Sequence, residues 1–577
     1  MKRFSIFLLF LIVGCALNAQ DDYRNYVLSR TMLNGTGTSY LDNITYYDGL
    51  GRPFQTVQKA VQSGLPVNKN LATLQEYDAA GREWNSWLPT FAGSSDYLAP
   101  AGIKSSAPGN YDNDSRPYSQ PVYKASPLNR LTAQYGPGAD WYNAGRPVKT
   151  EYLLNTNASP LKCIKYGVSS TGGLTGNSTT FYTSGELSVV KTTDEDLNVS
   201  YSFTDKQGRT VLTRQMNNSE EHDTYYIYND KGNLCFVLQP KYQESSDLGK
   251  YAFRYEYDAR GRCTKKILPG ADFVEYTYND ADQLVYSQDG NQRAQATEKW
   301  TYYLYDKFGR LTEQGETESI ENHSVSELQL SNCYDGYGFL GTTGFDDIVY
   351  SINEADKKYG KGMLTGSSVA VPGSFSRIYT AYYYDAEGRM VKSVQNNLLD
   401  GFDVTETAYT FSGNPSVVTH VHSAADNDKL TETYIYSYDH NDRLAKVEHT
   451  LNGTKVTLAD YIYDDLGHLK QKNLHGLPLH RQEYKYNVRG LLTSISGNFF
   501  GESLYYHTGD NPVKCYNGNI SSVKSSFNGP PRERCYQFRY DGLNRLTDAH
   551  FSGSAYDPKF PAGNFAEHVT AYDKNSH

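Results

Sequence analysis

One short phrase constrains this chain more than anything else in it: Tyr-x-Tyr-(Asp or Asn)-x-x-Gly-(Arg, Asn or His)-(Leu or Val), repeated. Clear copies are Y-I-Y-N-D-K-G-N-L at Tyr226 to Leu234, Y-E-Y-D-A-R-G-R at Tyr255 to Arg262 and Y-L-Y-D-K-F-G-R-L at Tyr303 to Leu311. Y-Y-Y-D-A-E-G-R-M at Tyr382 to Met390 and Y-I-Y-D-D-L-G-H-L at Tyr461 to Leu469 follow. The Asp or Asn markers Asn229, Asp258, Asn279, Asp306 and Asp335, and again Asp439, Asp464 and Asn487, lie 21 to 29 residues apart. Three longer intervals hold worn copies near their middles, Y-G-K-G-M-L at Tyr359 to Leu364, Y-T-F-S-G-N at Tyr409 to Asn414 and Y-N-G-N-I at Tyr516 to Ile520. A period of this size implies one supersecondary unit per repeat, each burying apolar surface against its neighbours.

The residue types say what the unit is. Tyrosines two apart project from one face of a strand, the following Asp caps a turn, and Gly supplies the positive φ of a tight hairpin. Alternation resumes after the turn, and no segment of the array keeps an apolar spacing of three and four. The expectation is therefore all-β: a long antiparallel sheet of hairpin repeats spiralling into a shell or curved solenoid, with a loop-rich β N-terminal capping region. Tyrosine supplies 52 of 577 residues, so packing area comes largely from rings whose hydroxyls need partners or water. A net charge of −10 and the absence of a Lys/Arg run argue against nucleic acid as a partner.

Lys2 and Arg3 precede an apolar run from Phe4 to Val13, which fits a signal-peptide core and is too short for a membrane span. Ordinary cleavage after Ala19 is the preferred exit. The alternative is a lipoprotein box, Ile12-Val13-Gly14-Cys15, in which Cys15 carries a lipid anchor. Either route predicts a secreted or outer-membrane, cell-surface protein. Six cysteines remain, Cys163, Cys235, Cys263, Cys333, Cys515 and Cys535, and none forms a C-x-x-C pair. Free thiols are the preferred reading over a bridge between Cys235 and Cys263 in adjacent repeats.

Before residue 200 the phrase persists in Y-Y-D-G-L-G-R-P at Tyr46 to Pro53, E-Y-D-A-A-G-R-E at Glu76 to Glu83 and F-T-D-K-Q-G-R-T at Phe203 to Thr210, separated by long loops. Residues 86–148 concentrate prolines near Trp84, Trp87 and Trp141, as expected of a cap or plug over an open sheet end, and Ser169 to Ser184 reads as an exposed loop. The array resembles the tyrosine-aspartate repeats of rearrangement hotspot (RHS, or YD-repeat) proteins over about residues 200–577. The N-terminal region, with Y-Y-D-G-L-G-R-P-F-Q-T-V, S-P-L-N-R-L at Ser126 to Leu131 and P-G-A-D-W at Pro137 to Trp141, is similar to the uncharacterised domain that opens many secreted Gram-negative members. The resemblance implies a hollow β shell that, in complete members, encloses a C-terminal toxin. Such members self-cleave at Asp-Pro-x-Gly, whereas Asp557-Pro558 is followed by Lys559 and Phe560, and the chain stops at Tyr572 to His577 within a phrase that has Ser576 where Gly is expected. That pattern reads as a member truncated before its core and toxin.

Asp194, Glu195 and Asp196 form the densest acidic cluster, where a glycosidase-type pair would have to sit, but the segment reads as a solvated turn. His420 and His422 share a strand face, with Asp426 or Asp428 following, which is ligand-like without a fixed third ligand. His507 with Asp510 is a weaker pairing. No catalytic, cofactor-binding or metal-binding residue is assigned, and the chain is expected not to be an enzyme. The organisation expected is a leader over 1–19 (or a lipoprotein signal ending at Gly14), an N-terminal domain over 20–200 and the array over 201–577. Its expected role is a steric shell whose partner is a separately encoded core or toxin polypeptide; the alternative is a cell-surface adhesion or carbohydrate-binding module that stacks tyrosines on glycans. A membrane enters only through the Cys15 anchor.

Overall fold

The computed structural model describes residues 25–62, 69–93, 95–321, 325–342, 344–345, 357–425, 429–509, 511–527, 534–553 and 565–576. The leader with Cys15, Asp426, Asp428, Asp510, Asp557-Pro558 and His577 lie outside them. Over the described residues the chain is all-β: 36 strands form one sheet, in which each strand pairs antiparallel with the next in sequence. One step is skipped, where Val148–Leu154 pairs with Ser188–Thr193 and the small hairpin Gly167–Val168 with Leu174–Thr175 stands apart. The sheet does not close, since Asn25–Met32 pairs only with Tyr40–Tyr47 and Glu567–His568 only with Leu546–Gly553 among the described strands. It runs through residue 200 without a break.

Each phrase makes the same turn. At the copy centred on Asp306, its N–H donates to the Arg310 carbonyl at 2.9 Å and the Gly309 N–H donates to the Asp306 carbonyl at 3.0 Å. Asp306 Oδ1 accepts the N–H groups of Phe308 and Arg310, and Oδ2 accepts Arg310 Nε at 2.7 Å. Gly309 sits at φ +81°, where a Cβ is disfavoured. Where Gly is absent, Asp282, Asp442 and Asn544 take the left-handed conformation at φ 61° to 62°, as short polar side chains tolerate it. Immediately before the turn the register shifts by one residue: Ile462 faces Gln471 but Tyr463 faces Leu469, and Leu304/Tyr305, Tyr383/Tyr384 and Lys485/Tyr486 shift likewise. A bulge at nearly every phrase turn raises the local twist and bend, so the ribbon curls as it grows; the pair Phe500–Tyr505 with Ser522–Phe527 is an exception among the described strands.

The curl has two edges. Phrase turns line one, the phrase edge; the return connections, with the helical turns Pro100–Ser106, Ala139–Asn143, Tyr242–Ser245, Leu248–Tyr251 and Gly290–Arg293, line the other, the return edge. The ribbon is largely a single layer. Buried cores form in three places where a connection folds over the sheet: around Ile44, Val57 and Leu74; around Phe203, Leu212 and Phe236; and around Ala381, Tyr383 and Val394. In all three the covered face is opposite to the one that carries the Tyr-x-Tyr pairs, because Tyr46, Tyr225 and Tyr383 are buried while Tyr47, Tyr228 and Tyr384 point the other way.

Two of the three worn copies prove to be halves of split phrases. Asp335 N–H donates to the Met363 carbonyl at 3.1 Å and Gly362 N–H donates to Asp335 Oδ1 at 2.7 Å, so the phrase begun at Tyr334-Asp335 is completed at Gly362-Met363-Leu364 across an inserted connection. Strands Phe500–Tyr505 and Ser522–Phe527 pair directly, which makes residues 506–521 a second insertion at a phrase turn. Tyr409 to Asn414 is an ordinary copy, with Thr410 Oγ1 accepting the Asn414 N–H where Asp would.

Candidate functional site: the riveted ribbon and its seam

The second tyrosine of the phrase has a defined task. Its hydroxyl donates to the carbonyl of the first strand residue after the preceding turn, from Tyr257 to Leu234, Tyr305 to Leu284, Tyr334 to Leu311, Tyr384 to Leu364, Tyr463 to Leu444 and Tyr572 to Leu546, at 2.6–2.9 Å. The phrase arginine lies over the ring of the next such tyrosine: Arg310 over Tyr334 at 4.3 Å, Arg443 over Tyr463 at 4.4 Å and Arg545 over Tyr572 at 4.4 Å. Where the phrase carries both Asp and Arg, Tyr, Asp, Arg and the residue after Arg thus form a rivet, joining hydrogen bond, ion pair and cation–π contact. The Arg82 side chain and backbone N–H hold the Asp78 carboxyl below its ordinary range. The Arg310 guanidinium, with the Gly362 N–H, holds Asp335 at about 2. Desolvation raises Tyr305, Tyr384 and Tyr463, and raises Tyr257 to about 12.

A second set of contacts joins residues 294 to 396 apart in sequence. Lys69 pairs with Asp465 at 2.9 Å, and Gly35 lies against the Phe411 ring. Arg489 Nε donates to the Pro137 carbonyl, its guanidinium pairs with Glu195 at 3.0 Å, and the group lies 4.2 Å from the Trp141 ring centre. Trp141 Nε1 donates to the Tyr516 carbonyl at 2.8 Å, and Asp140 meets His507 Nε2 at 3.1 Å. Farther on, Gly542 N–H donates to Asn217 Oδ1, His222 Nδ1 meets the Lys574 carbonyl, and Lys241 N–H donates to Asn575 Oδ1 at 3.0 Å. Every one of these puts a phrase-edge residue from 411–575 on a return-edge residue from 35–244. The ribbon has completed one turn of a spiral and seated on itself.

The seam absorbs several residues singled out in the sequence. Asp194 caps a turn, its Oδ1 accepting the N–H groups of Asp196 and Asn198, with Leu197 at φ 72° in the place of glycine. D-E-D-L-N-V matches the phrase except at that glycine, which is the signal that was available. Asp196 accepts the Tyr516 and Asn517 N–H groups, Glu195 takes Arg489, and burial pushes the Asp196 carboxyl up against those donors. The acidic cluster is therefore a half-buried joint and not the solvated turn expected. Trp141 is 3% exposed within the seam, so it sits between two layers of ribbon rather than over a free sheet end, while Trp87 packs on Tyr118. His507 lies tilted against Trp141 with ring centres 4.0 Å apart.

His420 and His422 do share a face, and Asp403 lies between them, 2.6 Å from His422 Nδ1 and 3.7 Å from His420 Nε2. Among the described residues no three His, Cys, Asp or Glu side chains are gathered to hold a metal ion. The six cysteines are free, and burial raises the Cys515 thiol to about 11. A shallow furrow of about 200 Å³ between the Asp439 and Asp464 turns is lined by Arg443, Tyr461 and Tyr463, which are rivet residues and their neighbours.

Residues 20–154 match a family model described as "Domain of unknown function (DUF6443)". Salivary gland surface protein 1 of Aedes aegypti is 26% identical over 349 residues, an alignment covering 54% of this chain and 10% of that protein. Among solved structures, TcdB2-TccC3 is 14% identical with a TM-score of 0.44, covering 96% of this chain and 28% of that one. TcdB2-TccC3-Cdc42 is 13% identical with a TM-score of 0.43, covering 96% and 27%. This chain thus spans about a tenth of the curated relative and little more than a quarter of either solved chain.

Proposed function

We propose that this protein is an exported, non-catalytic scaffold whose curved β wall encloses or shields a partner polypeptide. The observation that carries the reading is the ribbon itself: among the described residues its strands are spent on one riveted layer, with buried cores in only three places, and that layer seats on itself. A wall needs that arrangement, whereas a catalytic domain needs a core to hold a site rigid. The phrase carboxylates are each committed to a turn and to a basic side chain, an arginine in most copies and His468 for Asp464, which supports a structural role for them. The resemblance to RHS repeats makes a toxin-like polypeptide encoded separately the partner to try first.

The test is co-expression of the chain from residue 20 with the polypeptide encoded beside it. Co-purification and resistance of that polypeptide to proteinase K are expected, and loss of the protection on opening the seam with Arg489→Ala. A partner digested equally with and without the chain would refute the shell. A surface-binding role is the second reading, favoured by the match to a salivary gland surface protein and by the half-exposed Tyr-x-Tyr face. Retention on a glycan array without any protected partner would favour it.

A further inference from the structure

The seam occupies only part of each edge. The return edge from 35 to 244 is covered by phrase turns, but its continuation beyond residue 244 carries no phrase turn among the described residues. That free stretch is apolar at its loops: Phe375 is fully exposed, and Leu398, Leu399, Leu477, Leu479 and Phe499 are 44–62% exposed. The phrase edge is free in the complementary place, from the Asp48 turn to the Asp385 turn.

Seated turns show which positions make the contact. Counting from the phrase Asp or Asn, Asp465, Val488, Gly542 and Lys574 occupy the next position, and Arg489 and Asn575 the one after. At that second position two of the free turns carry large apolar residues, Leu50, 78% exposed, and Phe308, 69% exposed, while the others carry polar residues or alanine. Leu466, the same position in a seated turn, is half-buried. The Leu50 side chain takes no part in holding its hairpin, which rests on the Asp, Gly and Arg, so its place is explained by seating; Phe308, whose ring also lies 5.2 Å from the Arg310 guanidinium of its own turn, still presents an exposed apolar face there.

We propose that the free return edge receives the free phrase edge of a second copy of this chain, continuing the spiral head to tail. The occupant follows from continuity: the interface already formed within the chain is phrase edge on return edge, and a second copy offers the same phrase turns to the next part of the same edge. Because the two surfaces differ, the contact is heterologous and propagates unless one edge is blocked. The association does not require that a partner polypeptide be enclosed.

Sedimentation velocity of the chain from residue 20, up to about 100 μM, reads this directly. Dimers and longer species growing with concentration are expected. Leu477→Glu/Leu479→Glu blocks the return edge and Leu50→Glu/Phe308→Glu the phrase edge, and each variant alone should associate at least about tenfold more weakly. An equimolar mixture of the two should form dimers and stop there, because each retains the edge the other lacks. Circular dichroism and melting unchanged from the parent show that the exposed substitutions leave the fold intact. A parent that stays monomeric, variants that associate as well as the parent, or a mixture that remains monomeric would each overturn the proposal.

Discussion

Replacing Tyr463 by phenylalanine removes one hydroxyl and leaves the ring under Arg443. The lost bond, 2.9 Å from the hydroxyl to the Leu444 carbonyl, is half-buried and neutral, so Tyr463→Phe should cost about 1 kcal/mol. Tyr463→Ala also removes the stack of Arg443, 4.4 Å above the ring centre, worth about 0.5–1 kcal/mol, and roughly 100 Å² of buried ring at about 25 cal/mol per Å². That substitution should therefore cost about 4 kcal/mol in total. A cycle with Arg443→Ala should show coupling of about 0.5–1 kcal/mol to Tyr463→Ala and almost none to Tyr463→Phe, because the cation meets the ring and not the hydroxyl. Urea unfolding measures the totals. Hydrogen exchange should localise the change to Leu444–Leu451 and Thr454–Tyr463, since an array transmits stability only to neighbours. Tyr461→Phe is the control, as no hydrogen-bond partner of its hydroxyl is described in the structure. The rivet argument fails if Tyr463→Phe matches the parent within about 0.3 kcal/mol, or if Tyr461→Phe costs as much.

Gly309→Val should cost at least about 1–2 kcal/mol from φ +81° alone; the nearest atom to its new Cβ is the movable Gln283 amide, so a loss seen by thermal melting reports the backbone conformation. Arg489→Ala should weaken the seam by about 3 kcal/mol, since it strands Glu195 beside Trp141; a larger radius of gyration by small-angle scattering is expected with strand content unchanged. Acid should loosen the rivets in a definite window. Asp78 and Asp335 have carboxyl groups below their unfolded range, the latter at about 2, so their stabilisation is complete above about pH 4 and lost as pH falls towards 2. Hydrogen exchange of the turns at pH 4 and pH 2.5, corrected for intrinsic rates, reads it, and equal protection would contradict the assignment.

Much of the ribbon was legible because the phrase is local. Asp caps its own turn, Gly or a short polar residue takes the positive φ, and Tyr lies on one strand face, so each role is set within one repeat. The split phrases at Asp335 and at Tyr505 to Ser522 were not legible as single copies, because an insertion moves the second half of a turn away in sequence while leaving it adjacent in space. The Asp194 turn was passed over because Leu197 stands where Gly was required, and its acidic neighbours looked like surface.

The sequence by itself determined the repeating unit, its turn chemistry and its class, since those depend on interactions spanning at most a few dozen residues. Only the tertiary structure decided which turns are seated and which are free. Arg489 and Leu50 occupy the same position of the same phrase, yet one is wedged against Trp141 and the other lies in water. What separates them is the accumulated bend of the bulged ribbon, which brings together residues 294 to 396 apart, and no local pattern encodes where that curl meets itself.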